Sequence, residues 1–212
     1  GFEDLKYYLN HEKAPVAGFT PDCKYPVVYA ERGRAVIKVK ADLDHLITFM
    51  NKYILNTQNK GERLGIDYKN EEFGQLEIRN YHLTKEDFSF SISYPAGLTI
   101  DEILEKLNRI EGYEYEVVSH FKPVYFDKKA PMVEIMKETY EYVTGNDGTP
   151  VTTTGGTYAK MMPHIVPFGP SFPGQKGIGH NPNEWMTRED LITNAKIYAL
   201  TLYQLSRKET EL

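Results

Sequence analysis

The chain lacks the features that would commit it to a charged polymer, a membrane or an oxidising compartment. Its single cysteine, Cys23, cannot form an internal disulfide. No apolar run approaches the roughly 20 residues that cross a bilayer, and no signal-peptide pattern follows Gly1. Lysine and arginine nowhere form a block, and the formal charge is -5. Nucleic acids and anionic membranes both need a concentrated positive patch, so neither is an expected partner. These absences leave small molecules or proteins as partners and the cytoplasm as the default location. No repeat or low-complexity segment is present. With 41% hydrophobic and 13% aromatic residues over 212 positions, the chain can build one large core or two small ones.

Periodicity predicts a mixed α/β chain. A short polar helix is expected around Leu5 to Asn10, followed by a loop rich in proline and glycine. The runs Val27-Val28-Tyr29 and Ala35-Val36-Ile37-Lys38-Val39 read as strands separated by an Arg32-Gly33-Arg34 turn. Leu43, Leu46, Ile47, Met50, Tyr53 and Ile54 recur at helical spacing and predict a buried face over 41–56. Phe88, Phe90, Ile92 and Tyr94 alternate with serines, the pattern of a half-buried strand. Thr99 with Glu102 is a capping box for a helix that turns Ile103, Leu104, Leu107 and Ile110 inward. A strand over Tyr113 to His120 completes a compact α/β sandwich. Pro131 suits the first turn of the next helix, which ends before Gly145. A last helix from Thr187, capped through Asp190, carries Leu191, Ala195, Tyr198, Leu202 and Leu205 on a stripe expected to be core.

The residues that carry chemistry cluster towards both ends. Thr153-Thr154-Gly155-Gly156-Thr157-Tyr158-Ala159-Lys160 precedes Phe168-Gly169-Pro170, then Gly179-His180-Asn181-Pro182-Asn183-Glu184 and the last helix. Near the start stands Phe19-Thr20-Pro21-Asp22-Cys23-Lys24-Tyr25-Pro26. Paired glycines let the backbone turn and approach a ligand closely. Read locally, Asp22 is a turn-forming aspartate, His180 a loop histidine before a helix, and Gly155-Gly156 an ordinary turn. His11, His45, His82, His120 and His164 have no ligand-like partner at short spacing, and Cys23 reads as a small packed residue.

In this order the segments resemble the dinuclear-zinc metallopeptidases that include aminoacylases and carboxypeptidase G, most of all the PepV-type bacterial dipeptidases. The resemblance covers most of the chain. It implies part of a zinc-peptidase catalytic domain with an inserted α/β-sandwich lid: residues 1–40 and 127–212 catalytic, 41–126 an abridged lid. It implies that Asp22 and His180 bind one metal each of a two-zinc site, in which manganese or cobalt could substitute. Gly155, Gly156, Thr157 and Lys160 would hold the carboxylate of a small peptide substrate, using amide dipoles and one cation. Asn183 and Glu184 would support His180 or begin the helix. No catalytic residue falls inside this chain: the resemblance puts the general-base glutamate, a histidine, the bridging aspartate and a further glutamate before Gly1.

Two departures qualify that picture. Where PepV-like dipeptidases carry an arginine that binds the substrate carboxylate, this chain has Ser93, which cannot replace a two-pronged cation. A long lid segment with a carbonyl-contacting histidine is also missing, since Val39-Lys40 runs into the helix at Ala41. The reading is therefore a dipeptidase-like amide hydrolase whose chain, taken alone, is inactive. A non-catalytic relative used for ligand binding or dimerisation stays open, as does an aminoacylase or desuccinylase. No oligomeric state is selected.

Overall fold

In this computed structural model, residues 2–175 and 179–207 are described. The chain begins with helix α1 (Glu3–His11), strands β1 (Gly18–Thr20), β2 (Val28–Glu31) and β3 (Gly33–Lys40), and helix α2 (Leu43–Phe49), which continues as a π-turn over Met50–Ile54. Strands β4 (Lys69–Asn70), β5 (Gly74–Gln75), β6 (Glu77–Leu83) and β7 (Asp87–Tyr94) follow, then α3 (Ile100–Leu107), β8 (Glu114–Phe121) and β9 (Val124–Tyr125). The chain ends with α4 (Pro131–Thr144), β10 (Val151–Thr153), a 3-10 turn (Tyr158–Lys160), β11 (Ile165–Pro167) and α5 (Arg188–Arg207). It is an α/β protein of two compact units, Gly1–Ala30 with Tyr125–Leu212, and Glu31–Val124.

The second unit is a four-stranded antiparallel sheet in the order β6-β7-β3-β8. Alternation along β7 sends Phe88, Phe90, Ile92 and Tyr94 into the core with Ala35, Ile37 and Val39 of β3, as the sequence pattern predicts. Helix α3 closes over this face with Ile103 and Leu107 fully buried. Its capping box is complete: Thr99 Oγ1 accepts from the Glu102 N–H at 3.2 Å, and the Glu102 carboxylate accepts from the Thr99 N–H at 2.8 Å. Helix α2 differs from expectation. Its inward line is Leu46, Phe49, Met50, Tyr53 and Ile54, an i, i+3, i+4, i+7, i+8 series, while Leu43 and Ile47 flank it and are exposed. Strand β3, left with residues 1–40 by the sequence reading, is an inner strand of this unit's sheet, hydrogen-bonded on both sides, so the compact unit starts at Glu31.

The first unit buries Tyr25, Val27, Met132, Val133, Met136, Tyr140, Val166, Phe168 and Ile197 in one cluster. Helix α4 begins at Pro131 and stops at Gly145, whose left-handed φ of 71° suits glycine and lets its N–H reach the Glu141 carbonyl at 2.8 Å. Helix α5 corrects the stripe read from sequence. Its buried line is Asn194, Ile197, Thr201 and Leu205, with Tyr198 beside it. Leu191, Ala195 and Leu202 face outward, Leu191 at 61% exposure. A count of apolar residues missed the true face because two of its four members are polar.

Candidate active site

The site is organised around two parallel strands. β1 and β11 pair in register, Gly18 with Ile165 and Thr20 with Pro167, so both carboxyl ends lie together. In open α/β sheets that end is where loops gather ligands. The loops leaving the strands stay paired: the Phe168 N–H donates to the Thr20 carbonyl at 3.0 Å, Gly169 to Lys24 at 3.1 Å, and Tyr25 to Ser171 at 2.8 Å. The Asp22 segment and Phe168-Gly169-Pro170, far apart in sequence, are thus one structure. Close packing explains Gly169, since a Cβ there would come within 2.5 Å of Tyr25 Cζ and 2.7 Å of the Tyr198 hydroxyl.

Asn194 fixes the arrangement from helix α5. Buried to 3% exposure, it accepts the Tyr25 hydroxyl at 2.6 Å and donates to the Pro170 carbonyl at 3.2 Å, holding both loops at once. Burial, with Tyr198 adding, pushes the Tyr25 phenol well above its ordinary range. A second tie runs from the Asp22 loop to the glycine loop. Cys23, at a φ of 144° that side chains rarely adopt, has its Sγ 3.5 Å from Thr153 Oγ1, and the same oxygen accepts the Gly155 N–H at 3.2 Å. Asp22 itself is exposed, and its charge is felt at Tyr158. The Tyr158 hydroxyl donates to Asp4 at 3.0 Å, and that bond, with the Asp4 charge, raises its ionisation above the usual value.

The glycine loop differs from expectation in that the Gly155 N–H is taken by Thr153 and the Thr157 hydroxyl oxygen by the Ala159 N–H. Gly155 and Gly156 are exposed, while Thr157 is buried and caps the 3-10 turn by accepting the Ala159 N–H at 3.1 Å. Lys160 lies along Gly156, where a Cβ would meet its Cε at 2.6 Å, so the missing side chain makes room for the lysine stem. His180 stands exposed in a turn at a φ of 62°. Its N–H donates to the Glu184 carboxylate at 3.1 Å, and the Glu184 N–H donates to the Asn181 carbonyl at 3.2 Å, which closes the turn. Asn183 is exposed at a φ of 62°.

The structure therefore joins the Asp22 loop, through Cys23 and Thr153, with Gly155, and Gly156 with Lys160, while no contact among the described residues joins His180 to Asp22. Among those residues, no three histidine, cysteine, aspartate or glutamate side chains gather closely enough to hold a metal ion. Asp22 and His180 are two donors on separate loops, and a dinuclear zinc centre needs more ligands than that. The residues present do not make up its donor set. Thr153 and Tyr158 were quoted within the glycine-loop motif but given no role, and Asn194 took no part in the sequence reading of the site. Asn194 left no signal of its own, because the apolar stripe read along the last helix put it off the core face.

The loop after β1 thus carries a carboxylate and is tied to the loop after β11 by backbone bonds and, through Thr153, to a glycine turn that bears a lysine. The profile of Peptidase family M20/M25/M40 matches residues 10–204, and the chain belongs to that family. A protein named as a dipeptidase in Staphylococcus saprophyticus is 25% identical over 183 residues, covering 82% of this chain and 39% of the relative. Another so named in Staphylococcus aureus is 26% identical over 198 residues, covering 87% and 42%. The chain thus spans about two fifths of the length of these relatives. Solved structures share the fold: a Staphylococcus aureus tripeptidase with a TM-score of 0.63 at 15% identity, covering 91% of this chain and 58% of that one. Human carnosine dipeptidase 1 gives 0.60 at 10% identity, covering 92% and 58%. No helix among the described residues is long and apolar enough to cross a membrane.

Proposed function

We propose that this chain is a segment of a dipeptidase-like metallohydrolase that cleaves an amide bond in dipeptides or small peptides. The first unit contributes to its catalytic domain and the second forms its lid. The observation that carries the reading is the double tie of the Asp22 loop, to Phe168-Gly169-Pro170 through backbone bonds and to Gly155 through Thr153. It sets a carboxylate beside a glycine turn, with an ammonium group on that turn. In this reading Asp22 and His180 each donate to one metal of a two-zinc site, and Glu184 steadies the His180 turn. The Gly156 amide and Lys160 orient the substrate carboxylate by a fixed dipole and charge, while the Gly155 N–H, held by Thr153, and the Thr157 cap shape the turn. Zinc, when bound, would polarise the scissile carbonyl and activate water. The residues here do not complete its ligand set, so no proton transfer is assigned to them, and the chain alone is expected to be inactive.

Ser93, where the resemblance leads one to expect arginine, favours a second reading, a non-catalytic relative that retains the fold to bind a ligand or to dimerise. Dipeptide hydrolysis by the intact protein decides between the two. The first reading expects chelator-sensitive activity that falls by a factor of 100 or more in Asp22→Ala and in His180→Ala, with both variants folded. Activity unchanged by either substitution would sink it. Zinc calorimetry on the 212-residue chain is expected to find no pair of tight sites. Two tight sites weakened by His180→Ala would show that the ligand set is complete after all.

A further inference from the structure

Helix α1 buries none of its nine residues. A helix this short is marginal in water by itself, so the contacts it makes decide where it lies. At its start it meets Tyr158, the first residue of the 3-10 turn that follows the glycine pair. The Phe2 and Tyr158 rings meet edge to face, with centroids 5.3 Å apart and planes at 85°. The Tyr158 hydroxyl donates to the Asp4 carboxylate at 3.0 Å. One side chain therefore engages two residues at the start of α1, one with its ring and one with its hydroxyl.

The backbone of Tyr158 is fixed in the turn. Its carbonyl accepts the N–H groups of Met161 and Met162 at 3.1 and 3.2 Å, and the Lys160 N–H donates to the Thr157 carbonyl at 3.2 Å. Ala159, the next residue, is buried. Gly155 and Gly156 are exposed, and a glycine pair samples many conformations unless both of its flanks are held. Thr153 holds one flank through the Gly155 N–H at 3.2 Å. Tyr158 stands on the other flank, two residues past Gly156, and the charge of Asp22 bears on the same hydroxyl. The start of α1, the glycine turn and the Asp22 loop thus meet at Tyr158.

We propose that Tyr158 is a positioning residue: by binding Asp4 it straps helix α1 to the glycine turn and holds the Gly156 amide and Lys160 in the arrangement that receives the substrate carboxylate. The proposal rests on the reading of that turn as the carboxylate site. The strap gives the substrate no group of its own. It removes freedom that binding would otherwise have to remove, so it acts on affinity and leaves the chemical step alone. The bond is charge-assisted, which makes the carboxylate of Asp4 the partner that matters.

The intact protein and its Tyr158→Phe, Asp4→Ala and double variants test this by hydrogen–deuterium exchange and by dipeptide hydrolysis. Both side chains are exposed, so the variants should fold. Exchange over residues 153–162 should quicken about fivefold in each single variant, the effect of losing one bond. The double variant should be little faster than either, because both changes remove the same bond. KM should rise about threefold or more with kcat within about twofold of the parent, and Asp4→Glu should recover most of what Asp4→Ala loses. Unchanged exchange over 153–162 in Asp4→Ala, or single effects that multiply in the double variant, would overturn the strap. Quickened exchange with KM unchanged would overturn its part in binding. A parent that hydrolyses no dipeptide would fail the hydrolytic reading instead, and the exchange result would then uphold or overturn the strap by itself.

Discussion

Asn194→Ala tests whether a buried polar clamp holds the candidate site together. The asparagine accepts from Tyr25 at 2.6 Å and donates to Pro170 at 3.2 Å, from a helix position only 3% exposed. Losing two hydrogen bonds at about 1 kcal/mol each gives about 2 kcal/mol. The buried Tyr25 hydroxyl, left with Tyr198 alone as a polar neighbour, adds about 1 kcal/mol, for a total of about 3 kcal/mol. Urea unfolding followed through the first unit's tyrosines should show that loss, with a fall in Tm on the order of 10 °C. Tyr25→Phe should cost less, about 1–2 kcal/mol, because it removes the donor and leaves only an acceptor unpaired. In the double variant the second change should cost less than it does alone, with a coupling of about 1 kcal/mol. If Asn194→Ala unfolds within about 0.5 kcal/mol of the parent, the clamp has been misread and the loop ties stand without it.

Gly169→Ala should be severe: φ is 73°, and the new Cβ would lie 2.5 Å from Tyr25 Cζ, so a loss of about 3 kcal/mol or failure to fold is expected by urea titration. Thr99→Ala removes the α3 capping box and should cost about 1 kcal/mol, read in the second unit's unfolding. Backbone and side-chain bonds from Thr99 lower the Glu102 ionisation. Because the folded value lies below the unfolded one, that contribution is present above pH 4.5 and fades as pH falls through the folded value. An acid titration should narrow the gap between Thr99→Ala and the parent without closing it, because the Thr99 hydroxyl still accepts the Glu102 N–H when the carboxyl is protonated. Burial raises the Tyr94 phenol to about 12, from 10.0. The folded state then holds a proton that the unfolded state has released, so stability present below pH 10 is lost as pH rises towards 12. Tyr94→Phe should flatten that alkaline slope in unfolding measured across pH 9 to 12.

Much of the fold was legible because local chemistry and burial agree there. The Phe88 to Tyr94 alternation, the Thr99–Glu102 box and the Pro131 to Gly145 limits of α4 each combine a period with a cap or a start signal. Helices α2 and α5 were harder. In α2 the inward line runs through Phe49, so Leu43 and Ile47 lie at its flank. In α5 the core line is built from Asn194 and Thr201 as well as Ile197 and Leu205, and a search for apolar spacing rotates the helix to the wrong face.

The same reasoning explains what could and could not be seen of the site. The motif residues Asp22, Gly155 to Lys160 and His180 can be picked out by type and order, but what places Asp22 is a set of bonds between segments about 130 to 170 positions apart. Cys23 reaches Thr153, Tyr25 reaches Asn194, and the Asp22 loop runs beside Phe168-Gly169-Pro170. None of these bonds has a period or a local signature, since a hydrogen bond between distant loops constrains two residues and leaves the spacing between them free. They are polar contacts in tightly packed surroundings, where a lost partner costs more than the bond itself gains. A site built this way tolerates changes in its exposed ligands better than changes in its buried ties. Asp22→Ala should therefore fold with nearly the parent's stability while abolishing function in the intact protein. Asn194→Ala should lose stability and, with it, the geometry of every loop that Asp22 depends on.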